Sequence, residues 1–340
     1  MSLLEHYRAL HAGSGLLDRS FRGRLRLTGE DRRSYLQGLL TNDIAALTAG
    51  TGCYAALLTA QGRMMSDMYV LETGEAIVMD LARDVTPGIA AHLDRFVITE
   101  DVVVKDETED TAQLGVYGPA APDVLAAALA PDAPAAAELE RMPVLGNRVI
   151  GYRGGQLLLV RRDDVGVGGF DVMVDSARAA EIGEACRRGG AVDVDREAAE
   201  VTRVEAGRPA FLQDMDEDTI PLEAGIEDRA ISLTKGCYVG QEIIIRVLHR
   251  GHGRVARRLI GLSVDPSAAA PSRGDRIRAG EREIGSVTSA VRSPALGHAI
   301  ALGYVHRDFV EPGTSVTVVG QGSEAAAVVS KLPFVGGLTG

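Results

Sequence analysis

Lys235, Cys237 and Glu242 fall within eight residues, in Lys-Gly-Cys-Tyr-Val-Gly-Gln-Glu. A thiol becomes a nucleophile or a metal ligand when nearby positive charge or a helix N-terminus favours its thiolate. Lys235 stands two residues from Cys237. The segment from Gly240 through Ile-Ile-Ile-Arg-Val-Leu-His reads as a helix, with Gly240 near its cap and Glu242 in its first turn. Cys237 is therefore a candidate reactive thiol just ahead of a helix, with Lys235 tuning it. The same spacing also describes an inert cysteine buried on a tight turn, and local sequence favours that plainer reading.

Two carboxylates are further candidates. Asp67 follows a hairpin glycine inside an alternating strand, and a period of two places it on one face with Met65 and Tyr69. It reads equally as a buried ligand-facing carboxylate or as a surface residue. Glu205 lies near the end of an amphipathic helix, where it could receive paired N–H groups from a nitrogenous ring or pair with Arg203 or Arg208. His249 and His252 lack the Cys, Asp or Glu neighbours of a zinc site, so no metal is expected and a solvated loop is the better reading. Arg246, Arg250, Arg254, Arg257 and Arg258 form a local cationic run that suits a carboxylate-bearing ligand or an acidic partner; Arg246 is its candidate cofactor contact.

The elements that must position these residues are read from periodicity. Tyr35, Leu36, Leu39 and Leu40 recur at helical spacing within 31–47. Residues 53–81 read as three strands joined by glycine turns, 85–98 as a helix with Pro87 near its start, and 102–108 as a strand. The pattern partly recurs: strand, turn and helix over 112–129, three strands in 148–175, then a helix ending in glycines. Residues 128–140 are Ala/Pro-rich and read as a surface helix and loop. A further helix covers 196–211, with Val201, Val204 and Ala206 facing inward. Beyond residue 256 short alternating strands with glycine turns predict an all-β barrel. The fold class is α+β: residues 1–255, in two similar units of roughly 1–110 and 111–255, followed by a barrel over 256–340.

Composition narrows the function classes. A net charge of −11 opposes a general nucleic-acid binder, which needs a basic surface. Three scattered cysteines suit reduced thiols rather than a disulfide framework. The first residues lack a leader pattern, and no apolar run is long enough for a membrane span, so a cytoplasmic protein is expected. Only three of the 36 basic residues are lysines, which draws attention to Lys235. No GxGxxG, P-loop, GxSxG or HExxH pattern occurs in a credible context.

The octet 235–242 resembles the signature of the YgfZ family, folate-binding relatives of the glycine-cleavage T-protein, an aminomethyltransferase. The segments 35–44, 53–68, 93–98, 116–119, 203–207 and 221–242 follow the wider superfamily in order. The resemblance implies two ferredoxin-like units plus a C-terminal β-barrel, arranged as a three-domain ring around a central folate channel. It implies tetrahydrofolate as cofactor, with Asp67 facing it, Glu205 holding the pterin, and Tyr54 and Asp80 as further contacts. Ser66-Asp67 stands where the T-protein has paired aspartates, and the T-protein lacks the cysteine of the octet. The resemblance to the YgfZ family points to assembly or repair of iron–sulfur clusters in other enzymes, with those enzymes or assembly proteins as partners, Cys237 as the reactive thiol and Lys235 tuning it; Asp67, the third candidate catalytic residue, would orient folate in a transferase. The alternatives are a folate-dependent aminomethyl- or methyltransferase and a non-catalytic folate-binding module.

Overall fold

In the computed structural model, which describes residues 1–249 and 254–336, the chain starts at a capping box. The Ser2 hydroxyl accepts from the Glu5 N–H and the Glu5 carboxylate accepts from the Ser2 N–H, which launches helix α1 (Leu3–Ala12). Then follow β1 (Gly15–Asp18), β2 (Arg22–Thr28), α2 (Arg32–Gln37), β3 (Thr51–Leu58), β4 (Met64–Glu72), β5 (Ile77–Ala82), α3 (Thr86–Phe96) and β6 (Val103–Asp106). The middle of the chain supplies β7 (Thr111–Tyr117), α4 (Ala121–Ala128), α5 (Ala136–Glu140), β8 (Asn147–Tyr152), β9 (Gly155–Arg162), β10 (Gly169–Asp175), α6 (Ala179–Arg188), β11 (Val192–Asp193) and α7 (Arg196–Glu205). Short helices α8 (Pro221–Ala224) and α9 (Glu227–Ala230) precede α10 (Gln241–His249). The last strands are β12 (Arg257–Val264), β13 (Arg276–Ala279), β14 (Arg282–Arg292), β15 (Ala299–His306), β16 (Ser315–Val319) and β17 (Glu324–Ser330).

The strands form three assemblies. One sheet has the order β3-β4-β5-β2-β6, a second the order β11-β1-β7-β10-β9-β8, and β12–β17 close into a barrel. The fold is α+β with a six-stranded C-terminal barrel. Strand β1 belongs to the second sheet although β2 belongs to the first, so the two halves interleave. Alternation explains the layering, because each strand offers one face to each neighbouring layer. On the first sheet Leu25, Met68 and Met79 pack under Leu36, Ile89 and Leu93 of α2 and α3. Its other face, with Tyr54, Ala56 and Val78, meets Leu158, Val160 and Met173 of the second sheet. The far face of the second sheet is covered by Val124, Leu125 and Ile182 of α4 and α6. Val204 of α7 packs on Leu259, Leu302 and Tyr304, which joins this sandwich to the barrel. No described helix is long and apolar enough to cross a membrane.

Two local expectations give way to specific causes. The helical spacing over 31–47 yields only α2, which stops at Gly38; Leu39, Leu40, Ile44 and Leu47 are buried on a folded loop instead. At the end of α2 and just past it, the carbonyls of Gln37, Leu40 and Asn42 point to Lys235. The Gln37 side chain takes the Ile44 and Ala45 N–H groups. Second, a register shift at Leu57/Leu58 inserts one residue into β4. A bulge reverses the side-chain alternation beyond it. Met64, not Met65, therefore shares the inter-sheet face with Asp67 and Tyr69. The helix expected over 196–211 ends at Glu205, with Val201 and Val204 buried as expected. Helix α1 and strands β1 and β2 went unread in the sequence.

Candidate functional site

Register builds the site across the first sheet. Tyr54 of β3 pairs with Tyr69 of β4, which pairs with Asp80 of β5; Asp67 lies two residues before Tyr69 on the same face. The Tyr54 hydroxyl donates to Asp67 Oδ2 at 2.7 Å, and the two tyrosine rings lie 5.1 Å apart, tilted by 37°. Asp67 Oδ1 has no hydrogen-bond partner among the described residues. Asp67 is 8 % exposed, and burial pushes its carboxyl above the ordinary aspartate range. Arg22, the Tyr54 hydroxyl and Arg229 pull it back, while Asp80 pushes it further up. The Arg229 guanidinium lies 4.9 Å from the Tyr54 ring centroid and makes no side-chain hydrogen bond among the described residues. Sequence reasoning missed it; nothing in the segment 226–231 marks it.

Asp80, expected as a folate contact, is committed elsewhere. It is fully buried and holds Arg22, Arg162 at 3.1 Å and the Gln113 amide at 3.1 Å. Burial alone would raise its carboxyl; Arg22, Arg162 and Arg19 outweigh this and hold it below the ordinary range. Arg162 also meets Asp164 at 3.0 Å and Asp171 at 3.3 Å, and Arg19 meets Asp164 at 2.7 Å. Three arginines and three aspartates thus bolt β2 and β5 of one sheet to β9 and β10 of the other. Such a network fixes geometry more than it adds stability, because desolvation offsets most of the attraction. Its product at the site is Tyr69, whose ring carries the Arg162 guanidinium 3.7 Å from its centroid. Asp171 within the apolar run Gly-Phe-Asp-Val-Met-Val was the available signal, since a charge in a buried strand needs a partner.

Glu205 also has a structural occupation. It is 2 % exposed; Tyr7 of α1 donates to Oε2 at 2.8 Å and Ser293 donates to Oε1. Its backbone carbonyl accepts from Phe334 at 2.9 Å. The carboxylate thereby ties α1 and the barrel end to α7, and no hydrogen bond joins it to the Asp67 group among the described residues. Burial and this carboxylate push the Tyr7 phenol up, and burial pushes His11 down.

The opening octet divides. Cys237 is an exposed free thiol just before α10, with no hydrogen-bond partner among the described residues. Lys235, expected to tune it, is 9 % exposed, and its Nζ donates to the carbonyls of Gln37 (2.6 Å), Leu40 (2.6 Å) and Asn42 (2.9 Å). The expected cationic run does not converge on an anion. Arg246 pairs with Glu242 at 2.6 Å on an exposed helix face, Arg257 with Glu223 at 3.2 Å and Arg258 with Glu227 at 2.9 Å. An acidic chain thus supplies three of the five arginines with a carboxylate each, and Arg254 is exposed with no ion pair among the described residues. Arg250 and His252 lie outside the described residues. Among the described residues no three His, Cys, Asp or Glu side chains gather as a metal site.

Comparison with known proteins covers almost the whole chain. Residues 2–235 match the GCVT N-terminal domain family, and residues 257–336 match the glycine cleavage T-protein C-terminal barrel domain. The aminomethyltransferase of Saccharopolyspora erythraea is 30 % identical over 335 residues, spanning 96 % of this chain and 88 % of that protein. That of Rubrobacter xylanophilus is 31 % identical over 299 residues, spanning 88 % and 78 %. The crystal structure of glycine cleavage system aminomethyltransferase T from Bartonella henselae superposes with a TM-score of 0.88 at 22 % identity, covering 98 % of this chain and 90 % of that one, which speaks for the fold. These findings overturn the expectation of an iron–sulfur assembly or repair factor and of iron–sulfur partners. These relatives, matched over most of their length and of this chain, carry the name aminomethyltransferase instead.

Proposed function

The chain belongs to the glycine-cleavage T-protein family, and from that premise we propose that it is a folate-dependent aminomethyltransferase acting on an aminomethyl-lipoyl carrier. Tetrahydrofolate is the family's cofactor. The observation that carries the reading is Asp67: a buried carboxyl with one oxygen held by Tyr54 and the other without a partner among the described residues, beside two tyrosine rings and the Arg229 guanidinium. A pterin presents N–H groups and an aromatic face, which suit a carboxylate acceptor and flanking rings. Asp67 and Arg229 would hold it, with Tyr54 and Tyr69 beside it. When bound, tetrahydrofolate supplies the nitrogens that accept the one-carbon unit. Asp67 Oδ1 would serve as the proton acceptor of the site, with the Tyr54 hydroxyl keeping the opposite oxygen fixed. Burial of Asp67 between the packed sheets lowers the local dielectric, which strengthens both interactions.

The narrower resemblance to the YgfZ branch rests on the octet 235–242. We read that octet as loop architecture around Lys235, with Cys237 outside the chemistry. The deciding assay is turnover with tetrahydrofolate and an aminomethyl-lipoyl carrier protein. Wild type should turn over, and Asp67→Asn should lose about 100- to 10,000-fold, the range for a positioned acid–base group. Absence of turnover in wild type, or full activity in Asp67→Asn, defeats the proposal.

A further inference from the structure

The loop between α2 and β3 carries no group of the proposed chemistry, yet it is stitched to both sides of the Asp67 site. The Asn42 amide nitrogen donates to the Tyr54 carbonyl at 2.8 Å and to the Arg229 carbonyl at 3.0 Å. The buried Thr41 hydroxyl donates to the Ala230 carbonyl at 2.6 Å and accepts from the Ala56 N–H at 2.8 Å. The Thr41 backbone adds bonds to the Ala56 carbonyl (3.0 Å) and from the Ser232 N–H (3.1 Å). Two residues of one loop thus set the distance between β3, which carries Tyr54, and α9, which carries Arg229.

One cation gathers the start of that loop. The Lys235 ammonium has three hydrogens, and three loop carbonyls receive them within 2.9 Å. A buried ammonium is costly unless every hydrogen finds an acceptor, and here each does. Burial pushes the amine down to about 8, with Asp43 and Cys53 opposing, so the charged form prevails at neutral pH. Methionine would keep the apolar stem and leave three inward carbonyls unpaired. Arginine would add bulk and spread its donors over a planar fork, which cannot meet three carbonyls around one nitrogen.

We propose that Lys235 is a positioning residue for the Asp67 site: its ammonium gathers the Gln37, Leu40 and Asn42 carbonyls and so fixes the loop that sets Tyr54 and Arg229 against Asp67. The kinetic consequence rests on the aminomethyltransferase reading; the structural one does not. In Lys235→Met the amides of Thr41, Ala56 and Ser232 should exchange hydrogen at least tenfold faster, while the β4–β5 ladder keeps its protection. Turnover should fall about 10- to 100-fold, as expected for displacement of a reacting group by a fraction of an ångström to one ångström. The acid limb of the pH profile should also move upward. Asp67 faces Arg22, Tyr54, Asp80 and Arg229, and the loosened loop weakens Tyr54 and Arg229, two of the groups that keep it charged. Lys235→Gln, which restores two donors, should fall between wild type and Met in both readouts, whereas Lys235→Arg should not rescue. Unchanged exchange at Thr41, Ala56 and Ser232 overturns the inference, as does lost turnover with the acid limb unmoved. A wild-type chain without turnover defeats the aminomethyltransferase reading alone, and the exchange measurement then decides the role of Lys235.

Discussion

Replacing Tyr54 by Phe removes one oxygen and leaves the ring packed on Tyr69. The lost bond is the 2.7 Å donation to Asp67 Oδ2. A hydrogen bond to a charged acceptor contributes about 1.5–3 kcal/mol, roughly twice a neutral one, so its loss falls mainly on the ionised form of Asp67. Since each pH unit corresponds to about 1.4 kcal/mol, the pH at which Asp67 takes up its proton should rise by about one to two units. Wild-type Asp67 already sits above the ordinary aspartate range because burial outweighs its cationic neighbours. The assay is the pH profile of kcat/KM with tetrahydrofolate and an aminomethyl-lipoyl carrier. The acid limb, below which Asp67 is protonated, should move upward, with the plateau reduced less than the limb is displaced. The linkage to stability has a definite sign. An acid that binds its proton more tightly folded than unfolded makes the native state gain stability as pH falls through the raised value and lose it as pH rises. Tyr54→Phe should therefore lose more stability at pH 7 than at pH 4.5 in denaturant titrations. An unmoved acid limb, or equal destabilisation at both pH values, would refute the account of Asp67.

Two further outcomes separate structural from chemical roles. Glu205→Ala leaves the Tyr7 and Ser293 hydroxyls unpaired at the junction of α1, α7 and the barrel end, which should cost about 1–3 kcal/mol in chemical denaturation with the KM for tetrahydrofolate unchanged; a raised KM at unchanged stability would return Glu205 to the folate site. Cys237→Ser should keep kcat/KM within about twofold, as for other exposed substitutions without partners, and a larger loss would restore the thiol to the chemistry.

Much of the architecture is written in periodicities, because each strand must bury one face and each helix one stripe. The strands β3–β5 and β8–β10 and the barrel from Arg257 follow directly from alternation and glycine turns. The pairing of Asp67 with Tyr69 on one face follows from the same rule. Met65 departs from it because a bulge is a matter of strand pairing, which no single strand encodes. The over-long helix at 31–47 fails for a related reason: the carbonyls that would continue it are claimed by a lysine almost two hundred residues later.

The sequence by itself determined which residue types were available for chemistry: a buried-strand aspartate, a tyrosine one strand away, a rare lysine beside a cysteine. It could not assign them, because a carboxylate or an ammonium is defined by what it faces. Tertiary structure alone decided that Asp80 and Glu205 have both carboxylate oxygens hydrogen-bonded by neighbours, while Asp67 Oδ1 has no partner among the described residues. It also decided that the charge of Lys235 goes to three carbonyls and not to Cys237. The physical reason is range. Periodicity acts over a few residues along the chain, whereas a buried charge is settled by whichever groups the fold brings within about 3 Å of it, however distant in sequence.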